Sequence, residues 1–594
     1  MDSHEELKRT MSPQADQNAP AARPQVPREP ERTGAVREDS RGAENAADGR
    51  FQRPAKPFAI TLDPDSSRAN HTGAWRTMRP VYVDRLPPCN HACPAGENIQ
   101  AWLYHAEEGK YETAWRVLMD DNPLPAVHGR VCYHPCETAC NRAQLDEAVG
   151  IHAVERFLGD EAINRGWRIE PGQPTGRKVL IIGAGPSGLS CAYHLARFGH
   201  AVEIRDAGPR AGGMMRFGIP KYRLPREILD AEIARIEAMG VTIRLNHHVA
   251  DLEAEMKKGR FDATFLAIGA HLAKRIEIPG RDAGKILDAA SFLRSMEGAM
   301  PPKVGRRVVV YGGGDTAIDV ARTAKRLGAE EAVIIYRRDR AHMPARAFEI
   351  DEALEEGVAF RWLEAIRGAE AEALTVEVME LDLTGRPKPT GRYEKLDADT
   401  LILAIGQNAD TAFLRHVPGL VIAEDGIIQV DGTMMTGRPG LFAGGDMVPS
   451  ERTVTTATGH GKKAARHIDA YLRGSRYVKP EAHPIASYDT LHTWYYTDAE
   501  RSEQPLLEAV RRRSNFDEVT GGLDPDTALL EARRCLSCGN CFECDNCYGV
   551  CPDNAVIKLG PGKRFRFDYD YCKGCGICVQ ECPCGAIEMV KETH

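Results

Sequence analysis

Eight cysteines near the C-terminus fall in two matching runs, Cys541-x2-Cys544-x2-Cys547-x3-Cys551-Pro552 and Cys572-x2-Cys575-x2-Cys578-x3-Cys582-Pro583. Three close thiolates followed by a Cys-Pro suit a four-iron cube, and in this pattern the fourth cysteine of each run ligates the other cluster. One [4Fe–4S] cluster is therefore expected on Cys541, Cys544, Cys547 and Cys582. A second is expected on Cys572, Cys575, Cys578 and Cys551. Structural zinc would ask for paired C-x2-C knuckles with four ligands per ion. A chain that folds around such cubes moves electrons one at a time.

The chain has 594 residues, too many for one core, so several domains are expected. A formal net charge of −8 gives no reason to expect nucleic acid or an anionic membrane as a partner. The opening MDSHEEL has no basic and apolar leader pattern, and no run of about 18 apolar residues suggests a membrane span. Seventeen cysteines in such a chain suggest metal thiolates in a reducing cytoplasm.

Residues 1–55 are rich in Arg, Glu, Pro, Ala and Gln and read as a disordered tail. In the next stretch Ile99, Trp102, Leu103 and Ala106, then Tyr111, Ala114, Trp115 and Leu118, recur at helical steps. The expected organisation is a multidomain α/β protein. A helical Fe–S domain spans 56–170, and the first part of a Rossmann-like FAD domain spans 171–305. A Rossmann-like NAD(P) domain at 306–408 precedes the second FAD part at 409–474. A linker at 475–530 leads to an α+β ferredoxin module of the bacterial type at 531–594.

Lys178–Ile182 reads as a buried parallel strand that runs into Gly183-Ala-Gly185-Pro-Ser-Gly188 and a helix. Gly183 permits the tight turn, Gly185 lets a pyrophosphate approach, and Gly188 lets the helix pack on the strand. The helix N-terminus favours phosphate, and Asp206 ends the next strand where ribose hydroxyls are bound. The later Gly437-Arg-Pro-Gly-Leu-Phe-Ala-Gly-Gly445-Asp446 resembles the second fingerprint of FAD sites. Gly213 stands in Gly212-Gly-Met-Met-Arg-Phe-Gly218, where the disulfide reductases carry Cys-x4-Cys. Electrons on this flavin must therefore leave through clusters rather than a redox disulfide.

A second strand–turn–helix unit runs from Arg307 through Gly312-Gly-Gly314-Asp-Thr-Ala317, with Ala317 at the third glycine position. Its next strand ends in Arg337-Arg338 rather than an acid. Guanidinium forks suit a 2′-phosphate, which favours NADP(H), while the nearby Asp339 keeps NAD(H) open.

Cys89, Cys93, Cys132, Cys136 and Cys140 lie before the first nucleotide unit and favour one or two further clusters. Residues 85–470 resemble the small (beta) subunit of glutamate synthase and the N-terminal half of dihydropyrimidine dehydrogenase. The resemblance rests on Gly129-Arg-Val-Cys132-x3-Cys136-Glu-x2-Cys140, Gly183-Ala-Gly-Pro-Ser-Gly188, Gly218-Ile-Pro-Lys-Tyr-Arg-Leu-Pro225, Gly312-Gly-Gly-Asp-Thr-Ala-Ile-Asp319 and Ala443-Gly-Gly-Asp446. The C-terminal module resembles the delta subunit of 2-oxoacid:ferredoxin oxidoreductases. The family implies FAD, NAD(P)H and N-terminal [4Fe–4S] clusters. It also implies that Cys93, Cys132 and Cys136 share a cluster, with a carboxylate or amide at Glu155 as fourth ligand. Two of the family's further cysteines would fall at Val81 and Asp84, which leaves Cys89 and Cys140 without partners. Glu531-Ala-Arg-Arg-Cys535-Leu-Ser-Cys538-Gly resembles the missing segment, so Cys535 and Cys538 are expected to fold back onto Cys89 and Cys140.

These readings lead to an electron-transfer flavoprotein that links NAD(P)H to a partner oxidoreductase, such as a 2-oxoacid:ferredoxin-type enzyme. The alternatives are the small subunit of an NADPH-dependent glutamate synthase and a non-catalytic Fe–S scaffold. No acid/base dyad is required, so no catalytic side chain is nominated.

Overall fold

Two five-stranded parallel sheets carry the nucleotide units. The structure, a computed structural model, describes residues 71–592 apart from 73, 75 and 281–284, so the expected tail at 1–55 lies outside the described residues. The first sheet has the order Leu441–Ala443, Ala263–Leu266, Lys178–Ile182, Ala201–Arg205, Thr242–Arg244. The second has the order Ala359–Trp362, Glu331–Tyr336, Arg307–Tyr311, Thr400–Leu403, Ile286–Asp288. The last of these strands corrects an expected boundary. Ile286–Asp288 pairs with Leu401–Leu403 in the second sheet, although residues up to 305 were expected to serve the first. The crossing between the units lies earlier, where Leu272–Ala273 pairs with Gln407–Asn408. A three-residue strand carries too little periodicity to be read from sequence.

The N-terminal helices form as their spacing predicts. Ile99–Glu107 buries Ile99, Trp102, Leu103 and Ala106, and Tyr111–Met119 buries Ala114, Trp115, Leu118 and Met119. Pro125–Val131 crosses Ile151–Arg165 at glycines: a Cβ on Gly159 would sit 2.3 Å from the Ala126 nitrogen, and one on Gly129 would sit 2.4 Å from Arg156 Cβ.

Met78–Tyr82 does not belong to the helical domain alone. It pairs antiparallel with Ile587–Lys591, Val81 lying opposite Glu588, and so adds a strand to the C-terminal module expected to begin at 531. Tyr82 stacks on Phe567 with ring centroids 4.7 Å apart, and its hydroxyl lies 3.2 Å from Cys547 Sγ. The segment expected as a linker packs against all its neighbours. Ala486 N–H donates to Leu86 O, Val519 N–H to Tyr222 O, and His492 N–H to Pro583 O, at 2.9, 2.9 and 3.0 Å. No helix among the described residues is long and apolar enough to cross a membrane.

A buried charge network joins the nucleotide units. Arg223, in the Gly218–Pro225 motif, donates to both carboxylate oxygens of Asp319 at 3.0 and 2.9 Å and pairs with Glu349 at 2.6 Å. Beside it, Tyr222 lies under the guanidiniums of Arg322 and Arg326, 5.0 and 3.8 Å from the ring centre. Both arginines grip Glu356, Arg322 at 2.7 and 3.0 Å and Arg326 at 2.5 and 2.8 Å, and Glu356 has no exposed surface. Removing one partner from such a network leaves uncompensated buried charge. Glu356→Ala should therefore destabilise the fold by about 3–5 kcal/mol. A thermal unfolding scan of the flavin-loaded protein should show a clearly lowered midpoint, and an unchanged midpoint would contradict this role.

Candidate functional site

At the first nucleotide unit the backbone geometry requires its glycines. Gly183 has φ +107°, and a Cβ there would sit 2.2 Å from Ala267 O. A Cβ on Gly188 would meet Gly183 O at 2.0 Å, so the helix Pro186–Arg197 rests directly on the turn. Gly213 (φ +52°) faces Gly185: its Cβ would lie 2.7 Å from Gly185 Cα, so side chains at this pair would fill the cradle between them. The helix starts at Gly185 without a side-chain cap, leaving its first N–H groups to a ligand. Ser187 Oγ beside it is buried without a hydrogen-bond partner. Such a cradle fits the pyrophosphate of a dinucleotide.

Asp206 sits where the sequence predicts, and its carboxylate also holds the loop. It accepts from Ala184 N–H and Gly208 N–H, both at 2.7 Å. Gly445 and Asp446 form a short turn after the strand Leu441–Ala443, and a Cβ on Gly445 would lie 3.1 Å from Ser187 Cβ. The two fingerprints therefore meet at one helix start. Burial pushes the Asp446 carboxyl up to about 6, against the pull of Arg452.

The second unit repeats the design. A Cβ on Gly312 would sit 2.2 Å from Ala404 O, while Gly314, which caps the helix Asp315–Arg326, faces open space. Ala317 is fully buried in that helix. At the end of Glu331–Tyr336, Arg337 is exposed and Arg338 half-buried, and Arg338 Nε is buried without a hydrogen-bond partner among the described residues. Asp339 is already engaged: its Oδ1 accepts the His342 N–H at 3.0 Å and lies 2.7 Å from His342 Nδ1. The acid that kept NAD(H) open thus serves its own turn, and the adjacent Arg338 keeps a buried Nε–H without a partner, which suits an anionic group.

The thiols gather in four places. Cys541, Cys544 and Cys547 each lie within electrostatic range of Cys582, whereas Cys572 and Cys578 lie within range of Cys551 and Cys575. Cys578 also lies within range of Cys547, so the two runs pack side by side. Cys93 and Cys132 share the neighbours Glu97 and Glu155, and Cys136 lies near both thiols. Cys89, Cys140, Cys535 and Cys538 line one cavity. Burial pushes the Cys89, Cys93, Cys136 and Cys535 thiols well above their usual range, so thiolates there need a compensating cation. Among the described residues, no set of three cysteines has its sulfurs within 4.8 Å of one another, as a single tetrahedral ion would need; the tight groups found are Glu97/His128/Glu155 and His134/Glu137/His152.

Several neighbours escaped the sequence reading. Asn122 Nδ2 donates to Glu97 at 3.0 Å and to Glu155 at 2.8 Å, which bridges two buried carboxylates beside Cys93. Burial raises both, Glu97 to about 7. Cys584 Sγ lies 3.8 Å from Cys582 Sγ, and the Cys-Pro-Cys sequence could have flagged it.

Residues 177–461 match the pyridine nucleotide-disulphide oxidoreductase family. Residues 77–167 match dihydropyrimidine dehydrogenase domain II with its 4Fe-4S cluster, and 540–586 match the 4Fe-4S dicluster domain. The chain is 38% identical over 498 residues to the NADP(+)-dependent formate dehydrogenase subunit beta of Moorella thermoacetica, covering 76% of this chain and 70% of that one. It is 35% identical over 511 residues to the NADPH-Fe(3+) oxidoreductase subunit beta of Geobacter sulfurreducens, covering 77% and 76%. It is 34% identical over 421 residues to the glutamate synthase [NADPH] small chain of Escherichia coli, covering 65% and 89%. Two glycine cradles flanked by cysteine-rich domains at either end thus place the chain in a known group: it belongs to the family of NAD(P)H-dependent FAD and iron–sulfur oxidoreductases that includes the glutamate synthase small chain and these beta subunits.

Proposed function

We propose that this chain is the nucleotide-reactive subunit of a larger oxidoreductase and exchanges electrons between NADP(H) and its C-terminal clusters by way of FAD. The observation that carries the reading is the packing of the C-terminal thiol module onto the flavoprotein body through the Met78–Tyr82 ladder. When bound, FAD supplies the exchange between a two-electron hydride donor and one-electron carriers, and the clusters carry single electrons. The protein's own share is positioning. Gly183, Gly185, Gly188 and Gly213 would shape the FAD cradle, with Asp206 at the ribose and Gly445 and Asp446 at the ribityl–phosphate side. Gly312, Gly314 and Ala317 would admit the second nucleotide, and Arg337 and Arg338 would take its 2′-phosphate. Cys541, Cys544, Cys547 and Cys582 would hold one cluster, and Cys572, Cys575, Cys578 and Cys551 another. Cys93, Cys132, Cys136 and Glu155 would hold one cluster nearer the flavin.

The names of the two beta-subunit relatives support NADP(H) over NAD(H) and a place in a complex. The partner would be a catalytic subunit of the ferredoxin-linked kind. The likeness of the C-terminal module to the delta subunit of 2-oxoacid:ferredoxin oxidoreductases favours such a partner, because the module would stand in for a soluble carrier. The thiol count supports a reducing, cytoplasmic setting.

In anaerobic titrations of the holoprotein, NADPH should bleach the flavin band. Failure of both NADPH and NADH to do so would favour a scaffold role instead. Loss of the arginine pair in Arg337→Ala/Arg338→Ala should raise KM for NADPH about 10- to 100-fold, from charge-assisted bonds of about 1.5–3 kcal/mol, with NADH little changed. Equal losses with both nucleotides would contradict the assignment to the 2′-phosphate.

A further inference from the structure

Cys89, Cys140, Cys535 and Cys538 come from opposite ends of the chain yet line one cavity. We propose that they hold a fourth [4Fe–4S] cluster, split between the N-terminal helices and the segment before the C-terminal module. Neither 4Fe-4S match covers such a site, because one ends at residue 167 and the other begins at 540.

The loop bearing Cys535 and Cys538 is held in place by buried polar contacts. Glu531 is fully buried; it accepts from Gly150 N–H at 2.6 Å and Ser502 N–H at 2.7 Å, and from Arg534 at 2.7 Å. Arg534 reaches on to Ala148 O and Glu147 O at 3.1 and 2.7 Å. Arg142 returns the contact by donating to Arg534 O at 3.1 Å, and Gln100 Nε2 donates to Ser537 Oγ at 3.3 Å. Gly539 closes the loop with φ +75°, and a Cβ there would sit 2.3 Å from Arg85 Cβ. Asn141 Nδ2 lies 3.6 Å from Cys538 Sγ, the kind of donor that tunes a cluster thiolate. Such a buried charge pair, satisfied by backbone groups of the other domain, specifies one docking register.

A single metal ion fits less well. Zinc–thiolate bonds of about 2.3 Å would draw four sulfurs to within about 3.8 Å of one another. No cysteine trio among the described residues lies within 4.8 Å. A cube needs the wider spacing.

The position gives the site its use. Cys93 N–H donates to Cys89 O at 3.2 Å, so this site and the Cys93 site are one helical turn apart. On the other side only two residues, Gly539 and Asn540, separate Cys538 from Cys541, at most about 10 Å of extended chain. The split cluster would thus bridge the flavin-side cluster and the C-terminal pair, and its assembly would fasten the two chain ends together.

Iron and acid-labile sulfide should be counted in full-length protein reconstituted anaerobically, with flavin content as the check of folding. Cys535→Ser/Cys538→Ser should lose about four irons relative to the parent chain, the content of one cube. Cys140→Ser, at the other end of the chain, should lose the same four. Combining the three substitutions should lose no more than four. If one variant fails to retain flavin, the other reads the same site alone. No iron loss, an additive loss of about eight, or the loss of one zinc in place of iron would overturn the assignment. Iron content is read without nucleotide turnover, so its failure and a failure of flavin bleaching by NADPH are distinct results.

Discussion

The five-residue ladder between Met78–Tyr82 and Ile587–Lys591 is the contact on which the architecture turns. It joins segments about 500 residues apart, and a lone two-stranded ribbon is marginal in water. It persists because other groups pin the same two segments. Tyr82 packs on Phe567, Arg76 donates to Glu592 at 2.7 Å, and the Glu531–Arg534 pair is buried against residues 147–150. With the module so held, its thiols stand beside those of the helical domain. Without it the thiol groups would sit on separate bodies.

The nucleotide units show a different economy. Each turn is made by glycines whose Cβ would strike a carbonyl oxygen, Ala267 O at Gly183 and Ala404 O at Gly312. Both oxygens belong to the crossings between domains. The same crossings that connect the sheets therefore press the loops into shape. The Arg223–Asp319 pair and the packing of Tyr222 under Arg322 and Arg326 then tie one unit to the other.

Much of this was legible in the sequence because its determinants are local. Glycine spacing, buried strands and cysteine runs each specify a turn or a loop within a few residues, and Gly183 and Gly312 make the tight turns their spacing predicts. The return of Cys535 and Cys538 was legible only by resemblance, because no local rule brings residue 535 to residue 89. The strand at Ile286–Asp288 was not legible, since three residues carry no pattern. Nor were Glu97 or the Tyr222 clamp. A buried carboxylate or a tyrosine under two arginines looks in sequence like any surface residue, and only packing between distant segments makes it structural. Asp339 shows the converse: its position suggested a ribose contact, but His342, three residues later, satisfies it first.

In the proposed role one continuous electron path runs from the nucleotide to the C-terminal module within this chain. Freeze-quenched electron paramagnetic resonance after anaerobic mixing of the holoprotein with NADPH tests it directly. Signals of reduced clusters that vanish in Cys541→Ser and Cys572→Ser variants, appearing after flavin bleaching, are the predicted result. Bleached flavin with the C-terminal clusters still oxidised, under conditions where dithionite reduces them and NADPH is held in large excess over NADP⁺, would contradict it.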